Sequence, residues 1–176
     1  MGSLIPLDMF EFLDETHKSI QIKLQEFRAL LETEGFPSLS RPQKEQLESI
    51  HAFFAHDARQ HHLDEERHVF PALLESQQNE LTHLAQQLRQ DHGWIEENWI
   101  ELAPQIQATI HDNVWFDLDE LRHGFNVFQA LYTEHMALEE SIAFPRAMSL
   151  VKDWDLLTIG REMAQRRMLK PAVTRG

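Results

Sequence analysis

Two short segments of the chain share a pattern of side chains that could bind a metal ion. Residues 61–71 and 135–145 are identical at five of eleven aligned positions, and each begins with a histidine followed four residues later by a glutamate. Average composition predicts roughly one match or fewer in a window of this length. On a helix, a spacing of four places both side chains on one face. The segments therefore predict two halves of a metal site within an internal repeat.

The pattern of apolar residues around these segments predicts an all-α protein. Apolar side chains recur at helical spacing over about 7–34, 41–76, 80 to beyond 102, and 118–148, and a short fifth helix is predicted at about 153–168. Residues 1–176 contain no linker-like segment, so one domain is expected. We predict an up-down-up-down four-helix bundle over about 8–148, with an internal two-hairpin repeat and a short C-terminal helix.

Helix ends and interruptions follow from capping residues and prolines. The predicted N-caps are Ser40, Asn79, Asp117 (in a capping box with Glu120) and Asp153. Proline is predicted to kink or disturb the helices at Pro71, Pro104 and Pro145, and residues 56–59 are predicted to be irregular. Arg166 and Arg167 suit a helix C-terminus, so no functional role is assigned to them.

Composition excludes several classes of function. The net charge of −13, from 16 basic and 29 acidic residues, has the wrong sign for nucleic-acid binding. The chain has no cysteine, which excludes disulfides, zinc thiolates and a thiol nucleophile. No apolar stretch reaches the length of a membrane span, so a cytoplasmic protein without a membrane partner is expected. The unusual feature of the composition is its high number of histidines, which is eleven.

Four of these histidines are expected to lie at one level of the bundle. His17 and His92 sit in apolar stripes of the first and third helices, each followed three residues later by isoleucine. At ~1.5 Å per residue, the lengths of adjacent helices bring these two side chains level with His61 and His135. A single histidine on an apolar face is more often a hydrogen-bonded core residue, and a purely structural His–Glu network is the alternative. Buried carboxylates favour a cation instead.

The donor types favour particular metals. Imidazole and carboxylate without thiolate fit iron, manganese or zinc. Four histidines and two glutamates exceed the needs of one tetrahedral zinc ion and suit a two-metal centre, with iron as the first choice.

These residues resemble a known family, the hemerythrin-like or HHE cation-binding domain. The resemblance rests on the two His-x-x-x-Glu-Glu…Phe-Pro segments and the single histidines of the first and third helices, and it covers about residues 8–148. It implies a non-haem centre of two iron ions with an oxo or hydroxo bridge. Family roles include binding or sensing oxygen, responses to nitric oxide and peroxide, and iron handling or repair. By position, the implied metal ligands are His17, His61, Glu65, His92, His135 and Glu139.

The sequence departs from the family's oxygen carriers at the third helix. Where those proteins have a second histidine one turn after the ligand, this chain has Glu96, which is a candidate seventh ligand. A further carboxylate favours ferric iron, which is unfavourable for reversible oxygen carriage. The repeat partner of Glu96 is Gln21, which is expected to donate or accept a hydrogen bond beside the ligands.

Several neighbours of the ligands are given supporting roles. His62 aligns with Met136 in the repeat, so it is interpreted as a residue beside the ligands or on the surface. Glu66 and Glu140 are interpreted as hydrogen-bond acceptors for ligands or as solvated side chains. Two further residues have open alternatives, because Asp14 could orient a ligand imidazole and Tyr132 could line a ligand pocket or simply belong to the core.

Three functions follow as hypotheses. The first is a di-iron protein that binds or senses a small diatomic ligand or peroxide. The second is a di-iron oxidase or peroxidase, or an iron-handling or repair protein. The third is a metal-independent helical interaction module, and a homodimer formed through the fifth helix and Trp154 is a further possibility.

Overall fold

The computed structural model describes residues 7–169, and this range contains helices and loops but no strand. The all-α prediction is confirmed at this level. No helix within 7–169 is long and apolar enough to cross a membrane. The α-helices are α1 (Met9–Leu31), α2 (Arg41–Ala55), α3 (Asp57–Asp64), α4 (Phe70–Glu75), α5 (Asn79–Ile110), α6 (Leu118–Leu138), α7 (Phe144–Leu150) and α8 (Leu156–Met168).

Capping side chains set the helix starts, and some of the predicted caps are corrected. Ser40, which is a predicted N-cap, precedes α2 and forms a capping box with Gln43. Asp117 caps α6 through the backbone N–H of Asp119 at 2.7 Å, rather than through the predicted pairing with Glu120. Two other caps are shifted by one or two residues, since α5 already includes Asn79 and Asp155, not Asp153, caps α8. Helix ends fray, so boundaries commonly differ by one or two residues from those that capping residues predict.

The prolines interrupt regular helix in a way that spacing alone did not predict. A π-helical turn, Glu65–Val69, joins α3 to α4 and precedes Pro71, and a second, Glu139–Ala143, joins α6 to α7 and precedes Pro145. In each turn the N–H of the following phenylalanine donates to the carbonyl of the glutamate five residues earlier. The disturbance predicted at Pro104 is wrong, because α5 continues as α-helix through this residue. The irregular backbone predicted at 56–59 is confirmed at His56, where α2 ends and α3 begins.

The core consists of two apolar clusters. The first cluster contains Phe27, Phe54 and Phe128, and the second contains Phe10, Phe70 and Phe144. α1 and α5 begin in the second cluster and end in the first, whereas segments 41–75 and 118–150 run from the first cluster to the second. All four segments therefore cross the level between the clusters, where the buried histidines and glutamates lie.

The C-terminal helix α8 packs on α1 and α3 and supplies a buried ion pair. Arg166 Nη1 lies 2.5 Å and Arg167 Nη2 lies 2.8 Å from the carboxylate of Asp64, which has no exposed surface. Gly160 lets α8 approach the start of α1, because a Cβ atom there would lie 2.2 Å from the carbonyl oxygen of Leu7. The two arginines therefore do more than suit a helix end: they neutralise a buried carboxylate.

This ion pair gives a prediction for stability. Replacing both Arg166 and Arg167 by alanine leaves Asp64 buried without its cations, which should lower the free energy of unfolding by about 3–5 kcal/mol. Chemical denaturation of the metal-free protein measures this change. The control is Arg161→Ala on the exposed face of α8, which should stay within about 0.5 kcal/mol of the parent. A double variant as stable as the control would contradict the assigned role.

Candidate metal centre

Four buried histidines occupy the level between the two apolar clusters. His17 lies on α1, His61 on α3, His92 on α5 and His135 on α6, and none is more than 6% exposed. Each belongs to the inward stripe of its helix; His17, for example, follows Leu13 by four residues and precedes Ile20 by three. The packing of the apolar stripes thus carries these imidazoles inward.

The first donor group consists of His17, His61, Glu65 and Glu139, whose ligand atoms all lie within 4.8 Å of one another. His61 Nε2 is 3.0 Å from Glu65 Oε1, and His17 Nε2 is 3.1 Å from Glu139 Oε2. The distance from His17 Nε2 to Glu65 Oε1 is 3.6 Å. Both glutamates have no exposed surface.

The second donor group uses the same two glutamates together with His92 and His135, again within 4.8 Å. His92 Nε2 lies 3.3 Å from Glu65 Oε2, and His135 Nε2 lies 3.2 Å from Glu139 Oε1. The two imidazole nitrogens are 3.1 Å apart. Each carboxylate therefore directs one oxygen towards the first donor group and the other oxygen towards the second. This is the arrangement expected of carboxylates shared between two metal ions.

The donor atoms fit a metal because, apart from their contacts with one another, they have no hydrogen-bond partner in the described part of the chain. Among residues 7–169, buried atoms without a hydrogen-bond partner include His17 Nε2, His61 Nε2 and both carboxylate oxygens of Glu65 and Glu139. Leaving such groups unpaired in a protein interior costs several kcal/mol, unless a cation coordinates them. Imidazole and carboxylate donors without thiolate suit iron, manganese or zinc. The residues present therefore fit a metal cofactor.

Carboxylates outside the donor groups orient the imidazoles. His17 Nδ1 donates to Glu140 Oε1 at 2.9 Å, and His92 Nδ1 donates to Glu66 Oε1 at 2.9 Å. A proton held on Nδ1 leaves the Nε2 lone pair free for a metal. Each of these glutamates directly follows a shared glutamate and accepts a hydrogen bond from an imidazole of another helix, α1 for Glu140 and α5 for Glu66. The contacts place Glu66 and Glu140 against ligand candidates, one of the two roles that sequence left open.

Sequence reasoning missed a third carboxylate of this kind and proposed another in its place. Asp91 Oδ2 lies 3.5 Å from His135 Nδ1. Asp91 and its neighbour His92 lie on α5 whereas His135 lies on α6, so no spacing within one helix could have revealed the contact. Asp14, which was expected to orient an imidazole, instead has its Oδ2 2.9 Å from Lys18 Nζ on the surface of α1.

The shared glutamates also start the two π-helical turns, at Glu65 and Glu139. A π turn is wider than an α turn and changes the direction of the side chains that it contains, and such turns are frequent at functional sites. In both turns the first two residues are glutamates that contact histidines of the layer. The repeated Glu-Glu dipeptide is therefore the part of the motif at which the backbone changes from α-helix to a π-helical turn.

Charge within the layer determines where protons reside in the metal-free protein. Burial opposes protonation of His17, but contacts with Glu139 and Glu65 prevail and raise its pKa to about 10. Burial also opposes protonation of His135, but contacts with Glu139 and Asp91 prevail and raise its pKa to about 10. Burial lowers the pKa of His61. For Glu65, burial is outweighed by His61, His17 and His92, so its carboxyl pKa lies well below the usual value. A metal ion must therefore displace protons from the layer.

The structure does not bring every predicted site residue into this layer. Glu96 belongs to neither donor group within the described range; its Oε1 lies 3.5 Å from Arg59 Nη2 and its side chain is about one-third exposed. Its carboxylate instead faces Arg59 at the surface of the helices. Gln21 is exposed and lines a surface groove beside Glu140.

Two further aromatic side chains adjoin the donors. His62 is buried, and burial together with nearby His92 holds its pKa well below the ordinary value. Tyr132 is also buried, and its ring centroid lies 5.6 Å from that of His62 at an angle of 30°. Of the alternatives left open for Tyr132, the contacts place it both in the first apolar cluster and beside the layer.

Comparisons with known proteins agree with this geometry. The chain is 31% identical over 124 residues to an uncharacterized protein of Haemophilus influenzae, and the matched part covers 70% of this chain and 69% of the relative. No solved structure matches significantly. The family model described as the hemerythrin HHE cation-binding domain matches residues 8–147, which include all the donors of both groups. The chain therefore belongs to the hemerythrin HHE cation-binding domain family.

Proposed function

We propose that this chain is a non-haem di-iron protein that binds or senses oxygen, nitric oxide or peroxide. The observation that carries the proposal is that Glu65 and Glu139 each direct one carboxylate oxygen towards either pair of histidines. The proposed metal ligands are His17, His61, Glu65, His92, His135 and Glu139. Membership of a cation-binding family supports a metal at this position.

Each part of the layer has a task in this proposal. The four imidazoles and two carboxylates would hold the ions, while Glu66 and Glu140 keep the Nδ1 protons of His92 and His17 in place. The apolar clusters on both sides limit the access of water. When bound, a pair of iron ions would supply coordination positions for a small diatomic or peroxide ligand and electrons that such a ligand can accept. Iron is our first choice because the resemblance to hemerythrin-like proteins implies a centre of two iron ions, although imidazole and carboxylate donors also suit manganese and zinc.

The finer features of the fold are part of the proposal. The alternating passage of α1, segment 41–75, α5 and segment 118–150 between the two clusters supports an up-down-up-down four-helix bundle made of two repeated hairpins. We propose one domain over residues 1–176 and a cytoplasmic protein whose partners are small molecules. Glu96 as a seventh ligand stays a prediction, against which its contact with Arg59 argues.

Removing a histidine from either donor group should reduce the metal content. His61→Ala and His135→Ala each delete a buried donor, so iron per chain in the purified variants should fall well below two, as determined by elemental analysis. The matched control is His83→Ala, which removes an exposed histidine of α5 and should leave the iron content unchanged. Two irons per chain in both core variants would exclude these ligand assignments. If the metal-free parent has the same thermal stability as the metal-loaded parent, the result would favour the metal-independent module.

Mixing the ferrous protein with oxygen should distinguish binding from catalysis. For a binding or sensing protein we expect a single optical transition to an adduct, which reverses when oxygen is removed. Stopped-flow absorbance measures this. Rapid, irreversible oxidation that consumes several equivalents of oxygen or peroxide in the presence of a reductant would instead support an oxidase or peroxidase.

The protons in the layer predict how the stability of the metal-free protein depends on pH. The pKa values of His17 and His135 are raised to about 10, so their contribution to stability is complete below about pH 6.5 and is lost as the pH rises through about 10. The thermal midpoint of chelator-treated protein should therefore fall over this interval. His17→Gln with His135→Gln should show a smaller fall, and an equal fall in parent and variant would contradict the assignment.

A further inference from the structure

One buried histidine beside the donor layer has no partner in the internal repeat. His62 directly follows His61, is only 7% exposed, and aligns with Met136 in the second hairpin. Its ring lies parallel to that of His92, with centroids 4.0 Å apart and an interplanar angle of 15°. The chain therefore carries an imidazole on one side of the layer where the symmetric position has a thioether.

One ring nitrogen of His62 lies close to two imidazoles of the layer. A ring nitrogen of His62 lies within 4.8 Å of ring nitrogens of both His92 and His135, so the three form a further buried group of possible metal donors. Its Nε2 is buried and makes no hydrogen bond to any residue in the range 7–169. An imidazole in a dry core normally satisfies its nitrogens with hydrogen bonds, so a buried Nε2 without one requires another partner.

We propose that His62 is a metal ligand, the third histidine of the His92–His135 half of the centre. This inference rests on the proposed function, because it adds a donor to the same layer. With His62 included, this half has five protein donor residues, counting both shared glutamates, whereas the His17–His61 half has four. The two metal sites are consequently unequal, and the first ion to load occupies the half that contains His62.

The competing explanation is that His62 only fills space. Its ring lies between those of His92 and Tyr132, which is an ordinary position for an aromatic side chain in a core. The two explanations differ in what they require of the residue, because packing needs the ring whereas coordination needs the nitrogen lone pair. Phenylalanine retains an aromatic ring without nitrogen, and methionine is the residue that the other hairpin uses at this position.

The test compares the parent with His62→Phe and His62→Met after removal of metal from the full chain. Cobalt(II) is the probe, titrated by calorimetry and by its visible absorption. The parent should bind two ions in two resolved steps, and both variants should weaken the tighter step. A ligand should matter more than an outer-shell partner, so the affinity should fall by more than the ~10–100-fold typical of such partners. Far-UV circular dichroism of the metal-free variants checks that the helices are retained.

A second readout counts the bound imidazoles directly. In cobalt-loaded protein, proton NMR detects strongly shifted, exchangeable ring N–H signals of coordinated histidines. Both variants should lack at least one such signal that the parent shows. His68→Phe, which changes a partly buried histidine outside the donor groups, serves as the matched control and should retain every signal.

The outcomes separate this inference from the proposed function. Two ions bound with unchanged affinities and unchanged signals in His62→Phe would overturn the ligand role of His62 while leaving the di-metal centre intact. A parent that binds no cobalt would overturn both. Loss of the tighter step in His62→Phe, with the weaker step preserved, supports a ligand at the His92–His135 half.

Discussion

The structure depends on the burial of two carboxylates that belong to both donor groups. Glu65 and Glu139 have no exposed surface, and each contacts imidazoles from at least two different helices. Buried charge is costly unless it is neutralised at short range, so the helices must hold four histidines at one level. The register of the helices must therefore satisfy the charged layer as well as the apolar packing on either side of it.

Two adjacent carboxylates in α3 and the turn after it show two ways of meeting this requirement. Asp64 and Glu65 are both fully buried but point to different sides of the helix. Asp64 is neutralised by Arg166 and Arg167 of α8, whereas Glu65 faces imidazoles and, in our proposal, metal ions. The C-terminal helix, which lies beyond the residues matched by the family model, thus supports the backbone that carries a shared ligand candidate.

Segments 57–75 and 118–150 are alike in backbone but differ in the side chains around the layer. Both place a π-helical turn at the shared glutamate and use the next glutamate to hold an imidazole of α1 or α5. His62 and Asp91 break this likeness, because both adjoin the His92–His135 half of the layer. The two segments therefore share a framework, while single side chains make the surroundings of the two donor groups chemically different.

The sequence by itself determined the helical class, the approximate helix boundaries and the side chains of the layer. Apolar periodicity and the His-x-x-x-Glu repeat are local properties, so they could be interpreted without knowing the tertiary contacts. The tertiary structure alone decided which neighbours reach the layer: it brings in His62 and Asp91, leaves Glu96 beside Arg59, and gives Arg166 and Arg167 a buried partner. Those contacts depend on how helices distant in sequence are rotated and packed against one another, which no spacing within a single helix specifies.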